Sequence, residues 1–228
     1  MHPTLTRCLL LLTLAASSAA TAAEPKDWPK DWPKEWPKEW RFTALLDGKP
    51  IGYHNFKLVE TDGKRELTSE ARFNVKLLFV SVYKYVHDDK EIYRGDCLDS
   101  IDARTNDNGT DLIVKGSLDV QSLTQSFSVS DGKSRKALGP CIMTFAYWNP
   151  HILEQKQLLN SQTGKYEPVK IEKLADETVM ARGKQAQANK YVLTGDKLKI
   201  ELWYSKDMQW LGLQSTAEGG RKLLYRMD

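Results

Sequence analysis

The sequence predicts an all-β protein: an antiparallel barrel or strongly bent half-barrel of about 11–13 strands, with one short helix near 150–160. Three observations carry this expectation. Short apolar–polar alternations fill the chain after Trp40, and turn dipeptides interrupt them at intervals of roughly ten residues. About 190 residues follow the N-terminal region, enough for one sizeable hydrophobic core.

The elements follow in order. "RFTALL" leads into Asp47-Gly48, and "IGYHNFKLVE" leads into Asp62-Gly63. "DSIDARTN" precedes Asn108-Gly109, then "DLIVKGSLDV" follows, and "QSFSVS" precedes Asp131-Gly132. Near the C-terminus Gly195-Asp196 separates two strand-like runs, and Gly219-Gly220 precedes "KLLYRM". Such pairs supply the positive backbone angles that tight hairpins need. A sheet of this many strands curls, which also limits its exposed edges. One stretch breaks the meander: Asn149 is placed to cap a short helix with Pro150 at its first position, ending before Gly164.

Ahead of this domain lie two other segments. Residues 1–22 have one basic side chain (Arg7), an apolar stretch from Cys8 to Ala16 and the small-residue signal Ala20-Thr21-Ala22, the pattern of a cleaved signal peptide. The apolar stretch is shorter than the roughly 20 residues that span a bilayer. Cys8 sits inside it, which argues against lipoprotein attachment, so the mature chain is expected in the periplasm or otherwise exported. Residues 23–39 form a Trp-Pro-Lys repeat linker, "DWPKDWPKEWPKEW" including Trp40. Its prolines forbid a helix and push each preceding tryptophan to extended geometry. A polyproline path over 14 residues reaches roughly 43 Å, with the indoles stepping round the axis. The segment reads as a stiff spacer, or as an arm whose indoles meet a membrane surface or an envelope protein. Residues 40–228 form the single β domain.

Composition excludes several classes. The full chain carries 33 basic and 30 acidic residues, interspersed, so no basic stripe attracts nucleic acid. With the leader gone only Cys97 and Cys141 remain, which reads as one disulfide in an oxidising compartment. Such a bridge would close a loop of about 44 residues and stabilise by roughly 4 kcal/mol. The alternative, Cys141 as a nucleophile with His151, needs an unpaired sulfur. No metal-binding spacing, phosphate loop, nucleophile elbow or dinucleotide fingerprint is present, so no metal or cofactor is implied. "TNDNGTD" is a hairpin turn, since Arg104 and Lys115 occupy the positions where a calcium loop needs carboxylates.

Three places attract functional interest. The run from Val75 to Val86 is apolar on both sides, with Leu77, Phe79, Tyr83 and Tyr85 on one; it reads as core, or as the wall of an apolar cavity. "AYWNPH" gathers Tyr147, Trp148, Asn149 and His151, amphipathic groups suited to a ligand mouth or to a buried corner. Asp96, Asp99 and Asp102 are dense carboxylates. If held in a cleft with His151 they would suit acid–base work, and otherwise they are solvated rim charges.

"GKPIGYHNFKL", "IYRGDCLDSIDARTNDNG", "FAYWNPHIL", "LLNSQTGKYEPV", "YVLTGDKLKIELWYSKDMQWLGL" and "LYRM" occur in an order that resembles DUF6134, a family of exported bacterial proteins of unknown function. The resemblance runs from about residue 40 to 228. It implies an envelope protein of mostly β structure, distantly like the bent-sheet and half-barrel proteins that handle lipids or lipoproteins, and it supplies no catalytic residue. The resulting expectation is non-catalytic binding or carrying of an apolar small molecule or lipid, at Leu77, Phe79, Tyr83, Tyr85, Tyr147, Trp148, Asn149 and His151. The alternatives are a hydrolase centred on Tyr147–His151 and a structural interaction module of the envelope.

Overall fold

The computed structural model describes residues 37–77, 80–119, 126–216 and 218–228. The leader and the repeat as far as Trp36 lie outside the described residues. Sixteen strands occur among the described residues: β1 (Glu39–Leu46), β2 (Lys49–Thr61), β3 (Lys64–Leu77), β4 (Val80–Arg94), β5 (Cys97–Asp107), β6 (Thr110–Leu118), β7 (Phe127–Ser130), β8 (Arg135–Leu138), β9 (Gln157–Leu159), β10 (Tyr166–Pro168), β11 (Lys170–Lys173), β12 (Glu177–Ala181), β13 (Lys184–Thr194), β14 (Lys199–Tyr204), β15 (Trp210–Thr216) and β16 (Lys222–Met227). The count exceeds the expected 11–13 because several pieces, such as β8 to β11, are only three or four residues long.

Fourteen strands form one sheet in the order β11-β13-β14-β15-β16-β1-β2-β3-β4-β5-β6-β7-β8, with β12 also paired to β13. Every pairing in it is antiparallel and joins near neighbours in sequence, apart from β16 beside β1. The first and last strands of the domain therefore meet in mid-sheet, while β8 and β11 are its two edges among the described residues. The sheet is open: a bent half-barrel.

Local chemistry sets the hairpins. Asp47-Gly48, Asp62-Gly63 and Asn108-Gly109 have positive φ at both residues, as tight two-residue turns require. Gly52 has a different reason: a Cβ there would lie 1.8 Å from the Arg72 carbonyl oxygen across the β2–β3 pair. The expected continuous strand from Val75 to Val86 is not formed. β3 ends at Leu77 and β4 begins at Val80 with those two residues opposite each other, and Val80 and Val82 are exposed. The run is two strand ends at a hairpin, so its apolar character does not mark a strand covered on both faces.

One face of the long strands is buried in strict alternation. On β4 it presents Tyr85, His87, Asp89, Glu91 and Tyr93; on β3, Leu67, Ser69, Ala71 and Phe73. The other face carries paired surface charges such as Arg72–Asp88 and Lys90–Glu66. Trp40, the last indole of the repeat, is a core residue of β1 rather than part of the arm. It is 2% exposed and packs 6.4 Å from Trp148.

Residues 139–169, between β8 and β11, fold against this inner face. They contribute Ile142, Met143, Ala146, Trp148, Ile152, Leu158 and Leu159 to the core. The Cys97–Cys141 disulfide fastens the start of this plug to β5, as expected, and removes Cys141 as a free nucleophile. The Leu98 amide then donates to the Ile142 carbonyl at 2.9 Å, and the Tyr204 hydroxyl donates to the Tyr147 carbonyl at 2.8 Å. The expected short helix is a single 3-10 turn, Pro150–Glu154, capped by Asn149, whose side-chain oxygen accepts from the His151 amide at 3.1 Å.

Candidate functional site

A cavity of about 280 Å³ remains between the plug and the inner face. β2, β3 and β4 supply His54, Phe56, Leu67, Ser69, His87, Asp89 and Glu91. β14, β15 and β16 supply Ile200, Leu213, Leu223 and Tyr225, and the plug contributes Thr144 to Trp148 together with Asn160 to Gln162. Apolar and aromatic groups thus come from every part of the lining, while the ionisable groups gather on the adjacent strands β2 and β4. The cross-strand register explains the gathering. Ala71 lies opposite both His54 and His87, and Ser69 lies opposite Asp89, so four polar side chains share two rungs of one ladder.

These polar groups form two connected sets. His54 Nε2 lies 2.7 Å from Ser69 Oγ and its Nδ1 lies 3.1 Å from the Tyr225 hydroxyl. Burial holds His54 well below the ordinary histidine range, with His87 adding to the effect. His87, whose Nδ1 lies 2.8 Å from Thr105 Oγ1, is held down to about 4, again by burial. Both rings are neutral near pH 7. The second set is acidic. Glu91 Oε2 accepts from the Tyr93 hydroxyl at 2.7 Å and from Thr144 Oγ1 at 3.1 Å. Asp89 lies two residues away on the same face. Burial raises both carboxyls, Asp89 well above its ordinary value, where the Glu91 charge adds to the push and the Ser161 hydroxyl opposes it. Glu91 is the better supplied with donors of the two. Asp89 Oδ1 is buried without a hydrogen-bond partner among the described residues.

The residues singled out in the sequence are dispersed. Tyr147 and Trp148 line the cavity. Asn149 and His151 instead hold the plug to the β4–β5 turn: Asn149 Nδ2 donates to Asp96 Oδ1 at 2.9 Å, and His151 Nδ1 lies 3.0 Å from Asp96 Oδ2. Burial pushes Asp96 up, but the bonds from His151 and Asn149 and the charge of Arg65 outweigh it and leave the carboxyl below its ordinary value. Asp102 is elsewhere, paired with Lys115 on the outer face, and Asp99 pairs with Arg94. The three carboxylates do not share a cleft. Tyr85 is buried against Phe73 at 5.2 Å, and Tyr83 donates to Asp107 at 2.7 Å; neither lines the cavity. The side chains of Leu77 and Phe79 lie outside the described residues.

Sequence reasoning missed His54, Ser69, His87, Asp89 and Glu91. A signal was present. In "YVHDDKEIY" the alternate residues Tyr85, His87, Asp89, Glu91 and Tyr93 place polar groups between two aromatic ends on one face of a strand. The density of charge in that stretch hid the inward set among outward Asp88 and Lys90. A wider cleft of about 710 Å³ is lined by the outward Arg41, Lys57, Asp88, Lys90, Asp102 and Arg104, several of them in ion pairs, and reaches Phe56, Ser69 and Asp89, which also line the inner cavity. Its openness and mutually paired charges leave the inner cavity as the candidate site.

No curated protein matches the sequence. Among solved structures, the chain resembles a crystal structure of a beta-barrel-like protein of domain of unknown function DUF1849 from Brucella abortus. The TM-score is 0.56 over 83% of this chain and 94% of that one, at 8% identity, a likeness of fold alone. The family model described as "Domain of unknown function (DUF6134)" matches residues 42–228, and the chain belongs to that family.

Proposed function

We propose that this domain binds a small apolar or amphipathic molecule between the plug and the inner face of its half-barrel, and that it does so outside the cytoplasm. The observation that carries the proposal is the cavity of about 280 Å³, walled by Phe56, Leu67, Ile200, Leu213, Leu223 and Tyr225. Ligand sites are typically about 300–1,000 Å³ and mostly apolar with a few polar groups, so the volume suits a short acyl chain or a single ring system. The signal-peptide pattern at residues 1–22 and the single disulfide support export.

The test uses protein recovered from the periplasm, whose N-terminus is expected at Ala23, and measures binding of straight-chain ligands of increasing length by calorimetry. Each methylene buried adds about 0.8 kcal/mol, roughly a fourfold gain in affinity, until the cavity is full. Ser215→Phe places a ring at a half-buried cavity position and is expected to weaken binding at least tenfold while the melting temperature stays close to that of the parent. Affinity independent of chain length, or unchanged by Ser215→Phe, would remove the cavity as the site.

A further inference from the structure

We infer that the guest of this cavity carries an ammonium group, whose N–H donates to the Asp89 carboxyl while its hydrocarbon or aryl part packs against the apolar and aromatic lining. The inference rests on the cavity being a ligand site, as proposed above, and adds the chemical class of its occupant.

Three observations converge on it. First, Asp89 lines the cavity, is 8% exposed, and keeps Oδ1 without a donor from the protein among the described residues. A buried carboxyl oxygen left without a donor costs about 1–3 kcal/mol, and a guest N–H removes that cost. Second, Asp89 and Glu91 bring two neighbouring carboxyls to the cavity. No Lys or Arg is among the described residues lining the cavity, and His54 and His87 are neutral there. Arg65, beside Trp148, is engaged with Asp96. A buried charge without a counter-charge is strongly unfavourable, and a cation seated beside it offsets that penalty. Third, Phe56, Tyr147, Trp148 and Tyr225 surround the space, and aromatic faces attract alkylammonium groups. A carboxylate guest would meet two carboxyls with no Lys or Arg in the lining to balance its charge. An alcohol would gain the hydrogen bond without the charge.

The geometry also separates positioning from contact. Tyr93 and Thr144 donate to Glu91, which leaves Asp89 as the carboxyl with an open acceptor for the guest. A cation seated beside a carboxyl favours its ionised form, so ammonium uptake is expected to be accompanied by proton release.

The experiment compares three ligands of one chain length, octylammonium, octanol and octanoate, by titration calorimetry on the mature protein at pH 7 in two buffers of different ionisation enthalpy. Octylammonium is expected to bind at least tenfold tighter than octanol, octanoate weakest, and only the ammonium enthalpy is expected to depend on the buffer. Asp89→Asn is expected to reduce octylammonium to the affinity of octanol, leaving octanol within about threefold of its parent value. Equal binding of all three, or tightest binding of octanoate, overturns the ammonium inference and leaves the cavity reading standing. Absence of binding by all three overturns both. The comparison of head groups on the unmodified protein decides the matter even where Asp89→Asn fails to fold.

Discussion

His87 and the Asp89–Glu91 pair sit side by side on β4 and titrate in opposite senses. His87 is depressed to about 4 in the folded state by burial, against about 6.5 when unfolded. Between those values the unfolded chain binds more protons, so stability present above pH 6.5 is lost as the pH falls, by up to about 3 kcal/mol. The ring also faces His54 at 6.4 Å and Tyr85 at 6.2 Å, while Asp88 and Arg72 act on it with opposite signs. For the carboxyl pair the folded values are raised, so its contribution is present below the ordinary carboxyl range and lost as the pH rises above it, at up to about 1.4 kcal/mol per pH unit for each proton retained. Urea denaturation at pH 4, 6 and 8 checks both signs. Asp89→Asn is expected to gain on the parent as the pH rises, and His87→Gln to gain as it falls from 6.5. Parallel curves for parent and variants would show that these groups are not buried as described. None of this was legible residue by residue, because a charged residue in a strand ordinarily points outward. Only the period-two pairing of His87, Asp89 and Glu91 with Tyr85 and Tyr93 distinguishes them.

Elements were more legible than sites wherever a turn carried its own chemistry. Asp47-Gly48, Asp62-Gly63 and Asn108-Gly109 demand positive φ and mark their hairpins directly. Arg182-Gly183 does the same between β12 and β13, although arginine gives no such signal. The β3–β4 hairpin was hidden because "VKLLFVSV" carries no glycine, proline or Asx, leaving its alternation to read as one strand. The plug was hidden for a different reason. Ile142, Met143, Trp148, Ile152 and Leu158 have neither strand nor helix period, and what orders them is tertiary: the disulfide, the Asp96 clamp on Asn149 and His151, and burial against the inner face. The disulfide separates residues 44 apart and closes a loop worth about 4 kcal/mol in chain entropy. Cys97→Ser with Cys141→Ser is expected to lose about that much stability. Hydrogen exchange is expected to accelerate most in residues 141–159, where the Leu98–Ile142 and Leu159–Met143 backbone bonds open first. Uniform acceleration over the whole sheet would mean that the bridge does not hold the plug.

At the scale of the molecule, the class and the bent, open sheet follow from strand number and hairpin spacing, since a long antiparallel meander curls as it grows. The closure of β16 on β1 and the return of the chain from β8 to β11 through the interior do not follow from any local signal. They decide the function-bearing feature. The inner face is not an empty apolar trough: the plug packs against it and leaves a small space lined by the β4 carboxyls together with rings and aliphatic groups. The expectation of an apolar cavity therefore becomes an amphipathic one, and under the function proposed above the half-barrel walls the site while the plug sets the size of the guest. A methyl-labelled NMR sample titrated with octylammonium locates the guest directly. Intermolecular NOEs from the ligand terminal methyl to Ile200, Leu213 and Leu223, with the ammonium end near Ser69 and Ser161, are the predicted result. NOEs confined to the outer cleft around Lys57 and Lys90, or none at millimolar ligand, would contradict it.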